Sequence, residues 1–146
     1  MSIRIYEAKL TFHLVEEGRK KALDAPPLIV EYLRGAFDED PTVEWFIVIL
    51  LNRKNVPLGR CVVSRGSATG TLVHPREVFR SAILANACAI ICAHNHPSGD
   101  PDPSRNDIII TRTLRDASRI IGIDLLDHII VGTEPAYYSF AEAGIL

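Results

Sequence analysis

Residues 93–107 organise the chain, and they read Ala93-His94-Asn95-His96-Pro97-Ser98-Gly99-Asp100-Pro101-Asp102-Pro103-Ser104-Arg105-Asn106-Asp107. The small and apolar residues from Ala87 to Ala93 predict a strand that is buried on both faces. Three prolines and a glycine then cannot continue the strand and predict a loop. Ser104, with Asp107 three positions later, is typical of a capped helix start. The stretch therefore predicts a strand, a loop and a helix N-terminus.

Three side chains in this stretch have the chemistry of metal ligands. His94 and His96 are two residues apart on extended chain, so both rings leave the strand on the same side. Asp107 falls in the first turn of a helix, where the helix N-terminus favours an ionised carboxylate. Two histidines can simply end a strand, and Asp107 can be only a capping partner. Their fixed offsets around one loop favour a Zn²⁺ site with three protein ligands and an open fourth position.

The predicted helix from Ser104 to about Ile121 has two faces. Helical spacing places four apolar residues toward the core, namely Ile110, Leu114, Ala117 and Ile121. Four arginines fall near the opposite face, namely Arg105, Arg112, Arg115 and Arg119. The favoured interpretation is a solvated face, helped by Asp116 four residues after Arg112. Weak binding of DNA or of an acidic partner is the alternative.

Composition limits the remaining possibilities. A chain of 146 residues fits one domain with one core. No apolar run approaches the roughly 18 residues of a membrane span, and the first residues lack the apolar segment of a signal peptide. We therefore expect a cytoplasmic protein without a membrane partner. The net charge of −2 provides no global basic field for nucleic acid.

The cysteines show no paired spacing of the kind that metal sites use. Cys88 and Cys92 fall in the predicted buried strand, where a free thiol behaves as a small hydrophobe. Together with Cys61 they make an odd count, which fits a reducing compartment. We expect three free thiols that do not bind the metal.

Helical and extended patterns alternate along the chain, which predicts an α/β domain with a mixed sheet and helices on its faces. Residues 26–37 predict a helix of about three turns, and residues 38–41 predict a turn. A hairpin is expected from the strand at 45–51 to the strand around 60–64, followed by a loop over 66–71. Pro75 begins a second helix. Strands at 123–131 and, more briefly, at 137–140 follow the long helix.

The spacing His94-x-His96-Pro97, followed by Ser104-x-x-Asp107, resembles the JAMM motif of the JAB/MPN metallohydrolases. The sequences of the segments 73–77, 126–130 and 138–140 resemble those of the RadC-like branch of that family. The resemblance covers about residues 26–146 and leaves residues 1–25 as an N-terminal extended arm or strand. It implies a three-layer MPN (JAB) domain with a cytidine-deaminase-like architecture. Full-length RadC-like proteins often carry a helix-hairpin-helix module, and we expect none in this sequence.

The resemblance also implies roles for two residues that the pattern alone leaves open. From the residues alone, Glu44 is either a solvent-facing residue at a strand end or a placed acid/base. In JAMM enzymes the essential glutamate begins the corresponding strand, which makes Glu44 the general base that takes a proton from water. Ser104 can cap the helix, and the family's serine also donates to the oxyanion. Of the other histidines, His74 is expected to cap the helix at Pro75, and His13 to lie on the surface. His74 or His128 can also orient a ligand ring by a hydrogen bond.

The favoured function is therefore a zinc metallopeptidase that attacks an amide or isopeptide bond of a peptide substrate. The alternative keeps the metal but cleaves a phosphodiester, with a role in DNA repair or mobile elements. A non-catalytic MPN scaffold is the third possibility. Such scaffolds usually lack the ligands, whereas this chain has Glu44, His94, His96 and Asp107.

Overall fold

The computed structural model describes residues 1–18, 20–66 and 73–146. Of the loop predicted over 66–71, residues 67–71 lie outside the described residues, and Gly66 ends a strand. Residues 1–18 form neither helix nor strand and are mostly exposed. Eight elements follow: α1 (Pro26–Tyr32), β1 (Glu44–Leu51), β2 (Pro57–Gly66), α2 (Pro75–Leu84), β3 (Ala89–Asn95), α3 (Arg105–Ile121), β4 (Asp124–Val131) and β5 (Tyr137–Ser139).

The strands form one mixed sheet in the order β2-β1-β3-β4-β5. Strands β3 and β4 are parallel, and every other neighbouring pair is antiparallel. The parallel pair requires a crossover, which α3 provides. The predicted hairpin between β1 and β2 is present, and the Asn52 side chain accepts hydrogen bonds from the backbone N–H groups of Lys54 and Val56 in its turn. The predicted mixed sheet is therefore confirmed.

The sheet is the middle of three layers. Its apolar side chains pack against α1 on one face and against α2 and α3 on the other. Seven of the eight residues of β1 are buried, and its alternating side chains enter two separate clusters. Ile47 and Ile49 pack with Ile29 of α1 on one face. Phe46, Val48 and Leu50 pack on the other face with side chains of α2 and α3, including Phe79 and Leu114. The α/β architecture with flanking helices is thus confirmed.

Two helices differ from their prediction. Helix α1 ends at Tyr32, earlier than predicted, and Gly35 with its left-handed φ of 78° turns the chain two residues after the C-cap, Leu33. Helix α3 buries Asp107, Thr111, Leu114 and Ser118, whereas Ile121 is 40% exposed. The prediction that Ile121 faces the core is wrong, because the buried stripe of the helix runs through these four residues, of which Thr111 contacts His128 of β4.

The cysteines follow the prediction with one exception. In the described part of the chain Cys61, Cys88 and Cys92 are all free. Cys92 is fully buried, and burial raises the pKa of its thiol. Cys88 is exposed, so its predicted burial is wrong; β3 begins only at Ala89.

Across residues 1–18, 20–66 and 73–146, no helix has both the length and the apolar character needed to cross a bilayer.

Candidate metal centre

Three elements meet at the end of β3. Strand β3 pairs with β1 so that His94 lies opposite Phe46. Glu44 begins β1 two residues before Phe46, which places Glu44 on the same face of the sheet as the His94 ring. The loop after β3 then leads to the first turn of α3, where Asp107 is buried. This arrangement brings together Glu44, His94, His96 and Asp107, which are four of the five predicted site residues.

The polar atoms of these residues converge on one point. The Nε2 atoms of His94 and His96 are 3.2 Å apart. The two carboxylate oxygens of Asp107 lie 3.3 Å from Nε2 of His94 and 3.1 Å from Nε2 of His96. Oε1 of Glu44 is slightly farther, at 3.9 Å and 3.7 Å from the same two nitrogens.

These spacings suit a tetrahedral metal ion. Ligands held about 2.0–2.1 Å from zinc at tetrahedral angles are roughly 3.3 Å from one another. The distance between the two histidine nitrogens is close to that value, and so is the distance from each of them to the nearer Asp107 oxygen, which is Oδ1 for His94 and Oδ2 for His96; the distances to Glu44 exceed it. Glu44, His94 and His96 nevertheless offer ligand atoms that all lie within 4.8 Å of one another, close enough to bind a metal. Two triads are therefore available, and they share the two histidines.

A capping box holds Asp107 in place. The Ser104 hydroxyl oxygen accepts a hydrogen bond from the backbone N–H of Asp107, and an Asp107 carboxylate oxygen accepts one from the backbone N–H of Ser104. The predicted N-cap at Ser104 is confirmed. Because the hydroxyl oxygen serves as an acceptor in the cap, its own proton is free to donate elsewhere. Capping and donation to a substrate are therefore compatible.

Asn95 lies between the two histidines and holds the strand that carries Glu44. Its side-chain oxygen accepts from the backbone N–H of Trp45 at 2.7 Å, and its amide nitrogen donates to the carbonyl of Val43 at 3.0 Å. The amide thus bridges the residues on either side of Glu44. Sequence reasoning missed this contact, although alternation along β3 predicts that Asn95 points away from the histidines.

The loop after β3 fixes His96. Nδ1 of His96 lies 2.8 Å from the carbonyl oxygen of Asp100, which can only accept, so Nδ1 carries the proton. The loop is held against the β4–β5 connection by a hydrogen bond from the N–H of Thr133 to the carbonyl of Gly99. A Cβ at Gly132 would lie 2.4 Å from that carbonyl oxygen, so only glycine fits there.

His94 contacts a second buried histidine. Its Nδ1 lies 2.7 Å from Nε2 of His128, whose Nδ1 lies 2.6 Å from the Thr111 hydroxyl. Of the two histidines expected to reach a ligand ring, His128 is the one that contacts His94. His74 instead caps α2, as expected, by accepting from the backbone N–H of Arg76. His13 is exposed, as expected.

Electrostatics favour charged groups at the mouth of the site and a neutral ring beneath it. The hydrogen bond to Asp107 raises the pKa of His96. Burial alone would raise the pKa of Asp107, but hydrogen bonds from His94 and His96 hold it well below its ordinary value. Burial lowers the pKa of His128 well below its ordinary value, so this ring is neutral.

The arginine face of α3 is only partly solvated. Arg105, Arg112 and Arg119 are exposed, whereas Arg115 is half-buried and donates to the carbonyl of Ile145. Asp116 lies 3.2 Å from Arg115 and 3.9 Å from Arg119. The expected support from Asp116 therefore goes to these two arginines, and the carboxylate reduces the positive charge of this face.

Comparison with known proteins identifies the family. The model of the RadC-like JAB domain matches residues 23–145. A UPF0758 protein of Symbiobacterium thermophilum is 56% identical over 105 residues, which cover 72% of this chain and 44% of that protein. A UPF0758 protein of Geotalea uraniireducens is 46% identical over 122 residues, covering 84% and 53%. One from Staphylococcus aureus is 44% identical over 128 residues, covering 88% and 55%. The chain spans about half the length of these relatives.

The geometry and the comparisons agree. A histidine pair and a buried carboxylate meet at the end of β3 of a mixed sheet, and the family model covers these elements. The chain belongs to the family of RadC-like JAB domains.

Proposed function

We propose that the protein is a zinc-dependent hydrolase of the JAMM type that cleaves amide or isopeptide bonds. The observation that carries this proposal is the convergence of His94, His96 and Asp107 at mutual distances of 3.1–3.3 Å. Nitrogen and oxygen donors at this spacing suit zinc, which commonly has three protein ligands in catalytic sites. Membership of the JAB family supports the same conclusion.

The zinc ion would act as a Lewis acid and lower the pKa of a water molecule to about 7. Glu44 then supplies the base. Its side chain is 25% exposed at the mouth of the site, and its carboxylate faces both histidines at 3.7–3.9 Å. From there it accepts a proton from water and passes that proton to the leaving amine. Its longer distances separate it from the three closer donors, which suits a base rather than a ligand.

Ser104 supplies a hydrogen-bond donor. Its oxygen is engaged by the N–H of Asp107, and its hydroxyl proton remains free. The residue is exposed, and its backbone N–H binds the same Asp107 oxygen that faces His96, which places Ser104 beside the metal centre; its hydroxyl would there donate to a substrate carbonyl. Donation to the carbonyl oxygen stabilises the negative charge that develops there.

Two matched carboxamide variants test the assignment of ligand and base. Glu44→Gln should retain one zinc per chain and lose about 10²–10⁴-fold in kcat with little change in KM, because the amide cannot accept a proton. Asp107→Asn should lose zinc. Elemental analysis of both purified proteins measures the metal, and the reverse pattern would show that Glu44 is the third ligand.

The substrate class needs a separate measurement. Zinc-loaded protein, with the Glu44→Gln protein as control, should cleave peptide or isopeptide substrates in a panel that also contains branched DNA. Cleavage of only the branched DNA would replace the proposed substrate by a phosphodiester. Any binding of DNA should be weak, should weaken further with salt, and should be lost when Arg112, Arg115 and Arg119 are replaced by glutamate. A zinc-loaded protein that cleaves none of the panel would favour a scaffold.

A further inference from the structure

A chain of three hydrogen bonds runs from the metal centre into the core. Nδ1 of His94 lies 2.7 Å from Nε2 of His128, and Nδ1 of His128 lies 2.6 Å from Oγ1 of Thr111. Oγ1 of Thr111 in turn donates to the backbone carbonyl of Asp107 at 2.7 Å. The chain therefore begins at one metal-facing residue and returns to the backbone of another.

The last link decides where each proton lies. A carbonyl oxygen only accepts, so the single proton of the Thr111 hydroxyl is used on Asp107. Thr111 must then accept from Nδ1–H of His128. The His128 ring is fully buried, and among the described residues its nitrogens contact the Thr111 hydroxyl and His94 and no carboxylate, so its one proton lies on Nδ1 and its Nε2 accepts from Nδ1–H of His94. Nε2 of His94, which faces Asp107 and His96, is therefore the nitrogen left for the metal, in place of the proton that it shares with Asp107.

The chain is sealed from water. Thr111 and His128 are 0% exposed and His94 is 2% exposed. The His128 ring is stacked on Phe140, with ring centres 4.9 Å apart, and meets Phe46 edge-on at 5.3 Å. A polar group in this setting has no solvent to replace a lost partner, so each hydrogen bond constrains the next.

We infer that Thr111 and His128 are positioning residues that fix the tautomer of His94, so that its Nε2 is available to the metal. This inference rests on the proposed function, because it assigns the metal to the Nε2 side of the ring. Hydrogen-bonded partners of this kind typically change metal affinity by about 10–100-fold. The sequence shows only that Thr111 lies one helical turn after Asp107, and the tertiary structure brings His128 between His94 and Thr111.

Nuclear magnetic resonance of the imidazole nitrogens reads the tautomer directly, with or without metal. His128 of the unaltered protein should show a protonated Nδ1 and a bare Nε2 in both states. Thr111→Val keeps the shape of the side chain but removes the acceptor. In the metal-free Thr111→Val protein, His128 should therefore carry its proton on Nε2 and donate to His94.

Zinc affinity, measured by competition with a chromophoric chelator, gives the second readout. Thr111→Val should weaken zinc binding about 10–100-fold, and Thr111→Ser should restore it to within a few-fold of the unaltered protein. Thr113→Val is the matched control, because Thr113 also donates to the carbonyl four residues earlier, that of Ile109, but is exposed. It should leave zinc affinity unchanged.

A third pair of variants keeps the test valid if Thr111→Val does not fold. His128→Gln retains a side-chain oxygen that can accept from His94, whereas His128→Leu does not. Zinc should bind more tightly to the glutamine variant.

Two outcomes overturn the inference: a proton on Nε2 of His128 in the unaltered protein, or equal zinc affinity in the valine and serine variants. Absence of zinc binding by the unaltered protein would instead refute the proposed function, and the tautomer measurement would still decide the positioning role.

Discussion

His94 and His96 are two residues apart, yet they belong to different kinds of structure. His94 is 2% exposed and is held by buried side chains, His128 and Thr111. His96 lies beyond the end of β3 and is held by a loop carbonyl, that of Asp100. One proposed ligand is therefore positioned by the hydrophobic core, and the other by a loop that is held against the β4–β5 connection.

Because of this difference, variants on the two sides should affect stability and metal binding to different extents. Changes on the His94 side should affect folding and metal binding together, because the residue is part of the core. Changes on the His96 side should affect metal binding with a smaller loss of stability. Asp107 belongs to both sides, because its backbone carbonyl binds Thr111 and its carboxylate faces His96.

The largest contrast is expected from removing each ring. Both His94→Ala and His96→Ala should lose most zinc, and the double variant should lose nearly all of it. In the metal-free state, His94→Ala should lower the free energy of unfolding by about 2–4 kcal/mol, because it leaves a cavity and an unpaired Nε2 on His128. His96→Ala should lower it by less than about 1 kcal/mol. Chemical denaturation measures both. Equal losses of stability would contradict the division, and unchanged zinc stoichiometry in the double variant would refute the ligand assignment.

Asn95→Ala should remove the two side-chain hydrogen bonds by which the end of β3 holds the backbone on either side of Glu44. The variant leaves the N–H of Trp45 and the carbonyl of Val43 without their buried partner, at a cost of about 2–3 kcal/mol. Zinc should still bind, because the amide contacts neither the metal-facing atoms of His94 nor those of His96. Denaturation and metal analysis test the two halves of this prediction, and a stable variant without zinc would contradict it.

Gly132→Ala should disturb the His96 side alone. An added methyl group would collide with the carbonyl of Gly99 and displace the loop. We expect this to lower the free energy of unfolding by about 1–2 kcal/mol and to weaken zinc binding roughly tenfold. Gly122→Ala is the control. The φ of Gly122 is +81°, so an alanine there would be strained by about 1 kcal/mol. The added Cβ would meet no atom of the described chain within 4 Å. Zinc affinity should fall only in the Gly132 variant; equal affinities would show that the loop contact is not needed.

The smallest effect concerns the pH dependence of stability in the metal-free protein. The pKa of His96 is raised from its ordinary value of 6.5, so its contribution is complete below pH 6.5 and is lost as the pH rises through the raised pKa. The pKa of Asp107 is lowered from 3.8, so its contribution is complete above pH 3.8 and is lost as the pH falls. The pair should therefore stabilise the fold most between roughly pH 4 and 6.5.

Zinc should reverse the upper part of this dependence. Protons compete with the metal for His96. The zinc-loaded protein should therefore become more stable as the pH rises above 6.5 through the raised pKa of His96. Thermal melting with and without zinc tests the sign. Parallel curves for the two states would show that His96 is not a ligand.

Local patterns predicted much of this molecule. Continuous apolar runs indicated the buried strands, and capping residues marked the start of α3, because both depend on neighbours in the chain. The bounds of α1 and the exposure of Ile121 and Cys88 were predicted wrongly. An apolar side chain can be buried, but its type does not show that it is. The orientation of the helix decides this for Ile121, and the start of the strand decides it for Cys88.

The sequence by itself determined the histidine pair and the aspartate of the site and the order of the elements that carry them, since these follow from residue type and spacing; Glu44 was assigned through the resemblance to the JAMM enzymes. Only the tertiary structure decided that Asn95 binds on both sides of Glu44, that Asp100 and Gly132 hold His96, and that His128 lies between His94 and Thr111. These contacts join residues of different strands, helices and loops. Their geometry depends on strand register and on how each helix packs against the sheet, which spacing along the chain does not specify.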